Sequence, residues 1–145
     1  MKALLTACTA ALALASFASF ATIAHAEAPG GCAKVEVQNL RTGQGPLMVA
    51  AYTDAASFRK AATSQLQVNV TGETMTVQVC GLTGEVVALT LFQDLNGNGK
   101  LDANPFGMPT EPWGASGKSS PMTGPTWDTA QVPLGAEAIV VKLSK

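Results

Sequence analysis

Beyond residue 30, apolar and polar residues alternate in short segments separated by Gly, Pro, Asn or Asp. Such period-two alternation is typical of half-buried β-strands. It predicts seven strands, at residues 34–40, 47–53, 65–71, 74–79, 85–93, 131–134 and 138–143. Residues 85–93 form a nearly continuous apolar run, which favours a central strand covered on both faces. The pattern therefore predicts an all-β fold, an antiparallel β-sandwich of the immunoglobulin or prealbumin-like kind.

The segments between these strands predict two hairpins and one short helix. Residues 34–40 and 47–53 flank a turn-rich segment, and residues 65–71 and 74–79 flank a Thr-Gly-Glu tripeptide. Each pair is therefore predicted to form a hairpin. Residues 54–62 are poor in β-branched residues, so we expect a short helix there, with Asp54 as N-cap and Phe58 directed inward.

A long Gly/Pro-rich loop, residues 94–128, interrupts the strand pattern. Structureless loops of this length are uncommon inside compact domains and tend to be functional or disordered. Phe106, Trp113 and Trp127 are three of the six aromatic residues that follow residue 26, so we expect this loop to fold onto the domain. Their rings are candidate stacking platforms for sugars, or else they pin the loop to the edge of the sandwich.

The N-terminus carries a targeting pattern. Lys2 precedes an uncharged stretch over residues 3–24, which ends in the small-x-small sequence Ala24-His25-Ala26. This pattern predicts a secretory signal peptide at residues 1–26 and one domain at residues 27–145. The alternatives are an uncleaved membrane anchor and a lipoprotein box at residues 5–8. Cleavage would leave an exported protein, periplasmic or secreted, without a membrane span.

Composition narrows the function once the signal is set aside. Lys2 leaves with it, so eight basic residues remain against ten acidic ones, with no basic cluster. Nucleic-acid binding is therefore not expected, because it depends on clustered positive charge. His25 is the sole histidine, and it lies within the predicted signal. This excludes Ser-His and Cys-His catalysis and a histidine zinc site in the remaining domain.

Two cysteines, Cys32 and Cys80, follow the predicted signal. An oxidising compartment permits them to form a disulfide. The bond would close a loop of 49 residues, which corresponds to a stabilisation of about 4 kcal/mol in the chain-entropy model. A redox-active pair is disfavoured, because it would require close Cys-x-x-Cys spacing.

Residues 94–102 have the spacing of a calcium-binding loop. Such loops place oxygen ligands at positions one, three, five, seven and nine, with a glycine at six. The residues at these positions are Asp94, Asn96, Asn98, Gly99, Lys100 through its carbonyl, and Asp102. Pro105 stands at position twelve, where an EF-hand has glutamate, so we expect a weak site that Glu111 completes from farther along the chain. The alternative is that Asn-Gly-Asn-Gly is only a turn.

The same residues carry a family resemblance. The run from Asp94 to Asp102, continued by Gly107-Met108-Pro109-x-Glu111 and Gly114-x-Ser116, resembles the bacterial domain-of-unknown-function family 2141. The resemblance covers most of the chain after the signal and implies an exported β-sandwich protein with no established activity. It supplies no catalytic residue. It implies that Asp94, Asn96, Asn98, Asp102 and Glu111 belong to one shared loop motif.

The sequence thus favours a non-enzymatic exported protein whose long loop, ordered by calcium, forms a binding surface. One alternative is a carbohydrate-binding module. Another is a glycan hydrolase that uses Asp102 and Glu111 as an acid/base pair. A third is a module that binds an envelope protein by adding a strand to an exposed sheet edge.

Overall fold

The computed structural model describes residues 30–118, 123–135 and 137–144. The predicted signal peptide lies outside these residues. Within the described ranges, no helix has the length and apolar character that a membrane crossing requires. The elements are β1 Gly31–Gln38, β2 Leu47–Tyr52, β3 Ser64–Val68, β4 Thr74–Leu82, β5 Val86–Gln93, β6 Trp113–Ala115, α1 Trp127–Ala130, β7 Gln131–Pro133 and β8 Ile139–Lys142.

The strands form two sheets, which confirms the predicted all-β sandwich. One sheet has three strands in the order β4-β1-β8, and the other has the order β3-β2-β5-β6. Strand β7 joins the second sheet by pairing with residues 86–88 of β5, next to β6, which pairs with residues 90–92. Every pair is antiparallel except β1 and β8, which run parallel.

The core lies between the two sheets and follows the predicted alternation. Val35 and Val37 of β1 are fully buried, and so is Leu89 of β5. Leu91 of β5 is 2% exposed. These side chains belong to one cluster to which both sheets contribute. Each such burial stabilises the fold by about 1.5–3 kcal/mol relative to exposure.

Neither predicted hairpin is present. Strand β1 pairs with β4 and β8, whereas β2, the next strand along the chain, pairs with β3 and β5 in the other sheet. Strands β3 and β4 are likewise in different sheets. Period-two alternation reports which face of a strand is buried, and two strands that face each other across a core have the same pattern as two paired strands. The predicted partners were therefore wrong although the strands were right.

The predicted helix at residues 54–62 is a series of turns. Asp54 does cap them, because its Oδ1 accepts a hydrogen bond of 2.9 Å from the Ser57 N–H. Hydrogen bonds from Ser57, first of all from its hydroxyl, lower the pKa of the Asp54 carboxyl. The chain leaves helical geometry at Arg59, whose φ is +59°, while Phe58 is buried as predicted.

Two further predictions are confirmed. Cys32 and Cys80 form a disulfide that joins β1 to β4. Strand β5 is central, with β2 on one side and β6 and β7 on the other. The expectation that both of its faces are covered was wrong, because the inward face is buried but Thr90 and Phe92 on the outward face are only half-buried. This partial exposure matters for the site.

Candidate functional site

The long loop contains regular structure that the sequence did not predict. Strand β6 lies within it and extends the five-stranded sheet. Ala103 and Pro109 form an isolated bridge, and α1 begins after Thr126, whose hydroxyl accepts a hydrogen bond from the Thr129 N–H. As the aromatic content predicted, the described part of the loop packs onto the domain through Trp113 and Trp127.

Asp94 is the anchor at the start of this loop. Only 2% of its surface is exposed. Its Oδ1 accepts hydrogen bonds from the N–H groups of Gly97 at 2.8 Å and Asn98 at 3.1 Å. Its Oδ2 accepts one of 2.7 Å from the Gly99 N–H. The positive φ of Gly97 and Gly99 lets the backbone wrap around the carboxylate, since glycine adopts that region without steric cost.

Asn96, Asn98 and Asp102 converge on the exposed side of the same turn. The Asn98 side-chain amide lies 3.0 Å from both carboxylate oxygens of Asp102, and the Asn96 amide also donates to Asp102. The Asn98 oxygen accepts a hydrogen bond of 2.8 Å from the Lys100 N–H. Side-chain positions three, five and nine of the predicted cation loop therefore do meet.

Glu111, which follows the loop of residues 94–102 in the sequence, binds the backbone at both ends of that loop. It is buried, and its Oε1 accepts a hydrogen bond of 2.8 Å from the Leu95 N–H. Its Oε2 accepts one of 3.0 Å from the Asp102 N–H. One side chain thus ties together both ends of the segment that Asp94 begins.

The loop holds its shape through these hydrogen bonds. The residues that the sequence singled out, Asp94, Asn96, Asn98, Asp102 and Glu111, lie in one network. Among the described residues, no three His, Cys, Asp or Glu side chains are grouped closely enough to hold a metal ion. Any cation here would therefore depend on asparagine and backbone oxygens as well as on carboxylates.

The three aromatic residues predicted as stacking platforms, or else as side chains that pin the loop, have three different surroundings. Trp127 packs edge to face on Phe58, with ring centroids 6.0 Å apart. Phe106 is 90% exposed in a tight turn where the Asn104 side chain accepts hydrogen bonds from the N–H groups of Phe106 and Met108. Trp113 is half-buried and lines a cavity that neither Phe106 nor Trp127 lines.

That cavity lies on the outer face of the five-stranded sheet. The register brings outward-facing residues of four strands into cross-strand rows. One row runs Gln67, Met48, Phe92, Trp113, and the next runs Gln65, Ala50, Thr90, Ala115. The second row has small side chains in its middle, so it forms the floor of a depression that crosses the strands.

We call this depression the transverse groove, which is lined by Met48, Ala50, Tyr52, Thr90, Phe92 and Trp113. Two adjoining cavities of 390 and 450 Å³ make it up, and they share Tyr52, Thr90 and Phe92. From β3 to β6 the groove crosses three strand spacings, or about 14 Å. Residues of the long loop, among them Met108 and Pro109, form a wall at the Trp113 end.

The groove carries a positive charge, whereas the hydrogen-bonded network of the loop contains the carboxylates of Asp94, Asp102 and Glu111. Among its described lining residues, Arg59 is the one charged side chain, and neither Asp102 nor Glu111 lines it. Arg59 lies beside Gly124, since a Cβ placed on Gly124 would be 3.8 Å from a guanidinium nitrogen. The groove can therefore hold a ligand with apolar faces, hydrogen-bonding groups and negative charge.

Two buried polar residues, Gln93 and Ser116, hold this region together through contacts that the sequence did not predict. Gln93 is fully buried, and its side chain exchanges hydrogen bonds with the backbone of Arg41 across the turn before β2. Ser116 is also fully buried and accepts a hydrogen bond from the Leu89 N–H while donating to the Ala130 carbonyl. Gln93 is a polar residue at the end of an apolar run, and this position could have indicated that its side chain is buried and hydrogen-bonded.

A family model described as "Uncharacterized protein conserved in bacteria (DUF2141)" matches residues 35–142. The chain belongs to this family. The match spans the sandwich and the entire loop motif, so the loop network and the groove lie within the part that defines the family. No curated protein and no solved structure matches the chain.

Proposed function

We propose that this protein is an exported, non-enzymatic binding module that holds an extended ligand in the transverse groove. The observation that carries the proposal is the row of half-buried Met48, Phe92 and Trp113 beside a floor of small residues. Large apolar side chains that remain partly exposed along a depression are characteristic of ligand sites. The disulfide supports export, because such bonds persist in oxidising compartments.

The positions of the two candidate acid/base residues favour binding over hydrolysis. Both Glu111 oxygens accept backbone hydrogen bonds, and both Asp102 oxygens lie against the Asn98 amide. Glycan hydrolysis would require two carboxyl groups facing a cleft about 5–9.5 Å apart. The groove is lined by neither of them, so a structural role accounts for these carboxylates.

Filling the groove tests the binding proposal. Thr90→Arg places a long side chain on the floor, whereas Thr76→Arg places the same side chain on the exposed face of β4 in the other sheet. Titration calorimetry against arrays of soluble oligosaccharides and short peptides supplies the probes. We expect any probe that binds the wild type to lose at least about tenfold in affinity for Thr90→Arg and to bind Thr76→Arg unchanged. Binding that survives Thr90→Arg would place the site elsewhere.

We also propose that calcium binds weakly to the loop of residues 94–102. The convergence of Asn96 and Asn98 on Asp102 supports this. Turning both amides would direct their oxygens, with those of Asp102, toward a common point, and calcium binding would then replace the hydrogen bonds that these oxygens accept from the Asn98 and Lys100 N–H groups. Oxygen ligands of this kind suit calcium.

Thermal melting of the residue 27–145 domain tests calcium binding. At a dissociation constant near 10⁻⁴ M, about 1 mM calcium stabilises by roughly 1.4 kcal/mol, which raises Tm by about 5 °C over a chelator-treated sample. Asp102→Asn should abolish the shift, while Asp128→Asn, an exposed position on α1, should retain it. Identical wild-type curves with calcium and with chelator would refute the proposal.

A further inference from the structure

Arg59 reaches the transverse groove from outside the sheet. The turns at residues 54–61 place Phe58 inward, against Tyr52 at a ring separation of 5.2 Å and against Trp127. With Phe58 fixed in this way, the next side chain is directed along the surface toward Gly124, where it lines the groove. The position of the guanidinium thus follows from the packing of its neighbour.

The backbone at Arg59 is in the left-handed region, with φ at +59°. Glycine or asparagine adopts this conformation more readily than arginine does. An arginine held there is therefore unfavourable for the turn itself. Residues in such unfavourable backbone conformations are more frequent at functional sites than elsewhere, which makes Arg59 a candidate ligand contact.

The rest of the groove supplies the complementary chemistry. Phe92 and Trp113 adjoin in one cross-strand row, and aromatic rings can pack against the apolar C–H face of a sugar ring. The exposed amides of Gln65 and Gln67 and the hydroxyl of Thr90 lie along the same depression. Amides and hydroxyls both donate and accept hydrogen bonds, as a ligand rich in hydroxyl groups requires.

We infer that the transverse groove binds an acidic saccharide chain, a short run of sugar rings in which a carboxylate pairs with Arg59. This inference rests on the proposed binding function and adds the ligand class. A carboxylate accepts two parallel hydrogen bonds from a guanidinium. The groove length of about 14 Å accommodates an extended oligosaccharide, and the absence of acidic side chains among its described lining residues leaves that carboxylate unopposed.

Matched probes and variants test the inference. The probes are trigalacturonic acid and its methyl ester, in which each carboxylate is replaced by an uncharged ester that carries one extra methyl group. Arg59→Gly removes the guanidinium and suits the left-handed φ, so this variant should melt at or above the wild-type temperature. Lys60→Ala removes an adjacent exposed positive charge that does not line the groove, and it serves as the control.

We expect the wild type and Lys60→Ala to bind the acid at least about tenfold more tightly than the ester. The reason is that the acid can form a charge-assisted hydrogen-bonded pair with Arg59 and the ester cannot. Arg59→Gly should bind the acid and the ester equally. Equal wild-type affinities, a preference that survives Arg59→Gly, or no binding of either probe at millimolar concentration would overturn the inference. An acidic peptide that binds in an Arg59-dependent way, with neither saccharide binding, would replace the saccharide by a peptide.

The two proposals can fail separately. If Thr90→Arg abolishes binding of both probes and Arg59→Gly changes neither, the groove is the site, but the pairing of a saccharide carboxylate with Arg59 is wrong. If both probes bind Thr90→Arg as they bind the wild type, the groove itself is not the site.

Discussion

Asp94 and Glu111 are buried carboxylates whose oxygens accept hydrogen bonds from five backbone N–H groups. Several N–H groups directed at one anion stabilise its charge much as a bound cation would. The loop motif of this family therefore has a structural reason for its acidic residues that is independent of any metal. Hydrogen bonds of this kind fix the position of the loop wall beside the groove.

Glu111→Ala should lower the free energy of unfolding by about 3 kcal/mol, because the Leu95 and Asp102 N–H groups would lose a charged acceptor. Glu137→Ala removes an exposed carboxylate and should change stability by less than about 0.5 kcal/mol. Urea denaturation followed by circular dichroism measures both. Equal stability of the two variants would show that Glu111 does not brace the loop.

At this scale the sequence identified residues that meet in one loop, but it did not predict the backbone N–H groups to which they are hydrogen-bonded. The same spacing of acidic and amide residues is needed in two cases. In one their side chains surround a cation, and in the other they bind backbone N–H groups of the loop. Spacing alone therefore cannot distinguish the two. The position of Arg59 was not predicted, because the sequence favoured a helix at residues 54–62, whereas the left-handed backbone at Arg59 is incompatible with one.

At the scale of the elements, the turns and strands around the loop determine where the groove lies. Alternation predicted where β1 to β5, β7 and β8 lie along the chain, because each has one face in the core. Strand β6 was missed, because three residues that include Gly114 are too short to display a period. The strand partners were missed, because pairing depends on which sheet each strand joins.

The disulfide acts at this scale by tying β1 to β4. Replacing both cysteines, Cys32→Ala with Cys80→Ala, should lower the free energy of unfolding by about 4 kcal/mol, as expected for release of a 49-residue loop. Denaturant titration of this variant, compared with the oxidised wild type, gives the value. A change in the free energy of unfolding near zero would contradict the expectation that the disulfide stabilises the fold by restricting the unfolded chain.

At the scale of the whole molecule, the fold joins the beginning of the described chain to its end. Strand β8 pairs with β1, and Val141 and Leu143 contribute to the common core. Ser144 also contacts Trp113, whose backbone N–H donates a hydrogen bond of 3.0 Å to the Ser144 hydroxyl. The C-terminal segment therefore supports both the core and the groove.

Ending the chain after Ala138 should abolish cooperative unfolding, since it removes a strand and two core side chains that are almost fully buried. Burial of those two side chains alone contributes about 3–6 kcal/mol, a large part of the total stability of a domain this size. Deleting only Lys145 serves as the control and should leave the melting transition unchanged. A sharp transition in the longer truncation would show that β8 is dispensable.

The parallel pairing of β8 with β1 also sets when the polypeptide can fold. Contacts between the first and the last strands are as distant in sequence as the domain allows, and such contacts slow folding. A nascent chain has an incomplete three-stranded sheet until β8 has been synthesised. Until then one edge of β1 has no strand partner, and such an unpaired edge is open to proteolysis or to pairing with another chain.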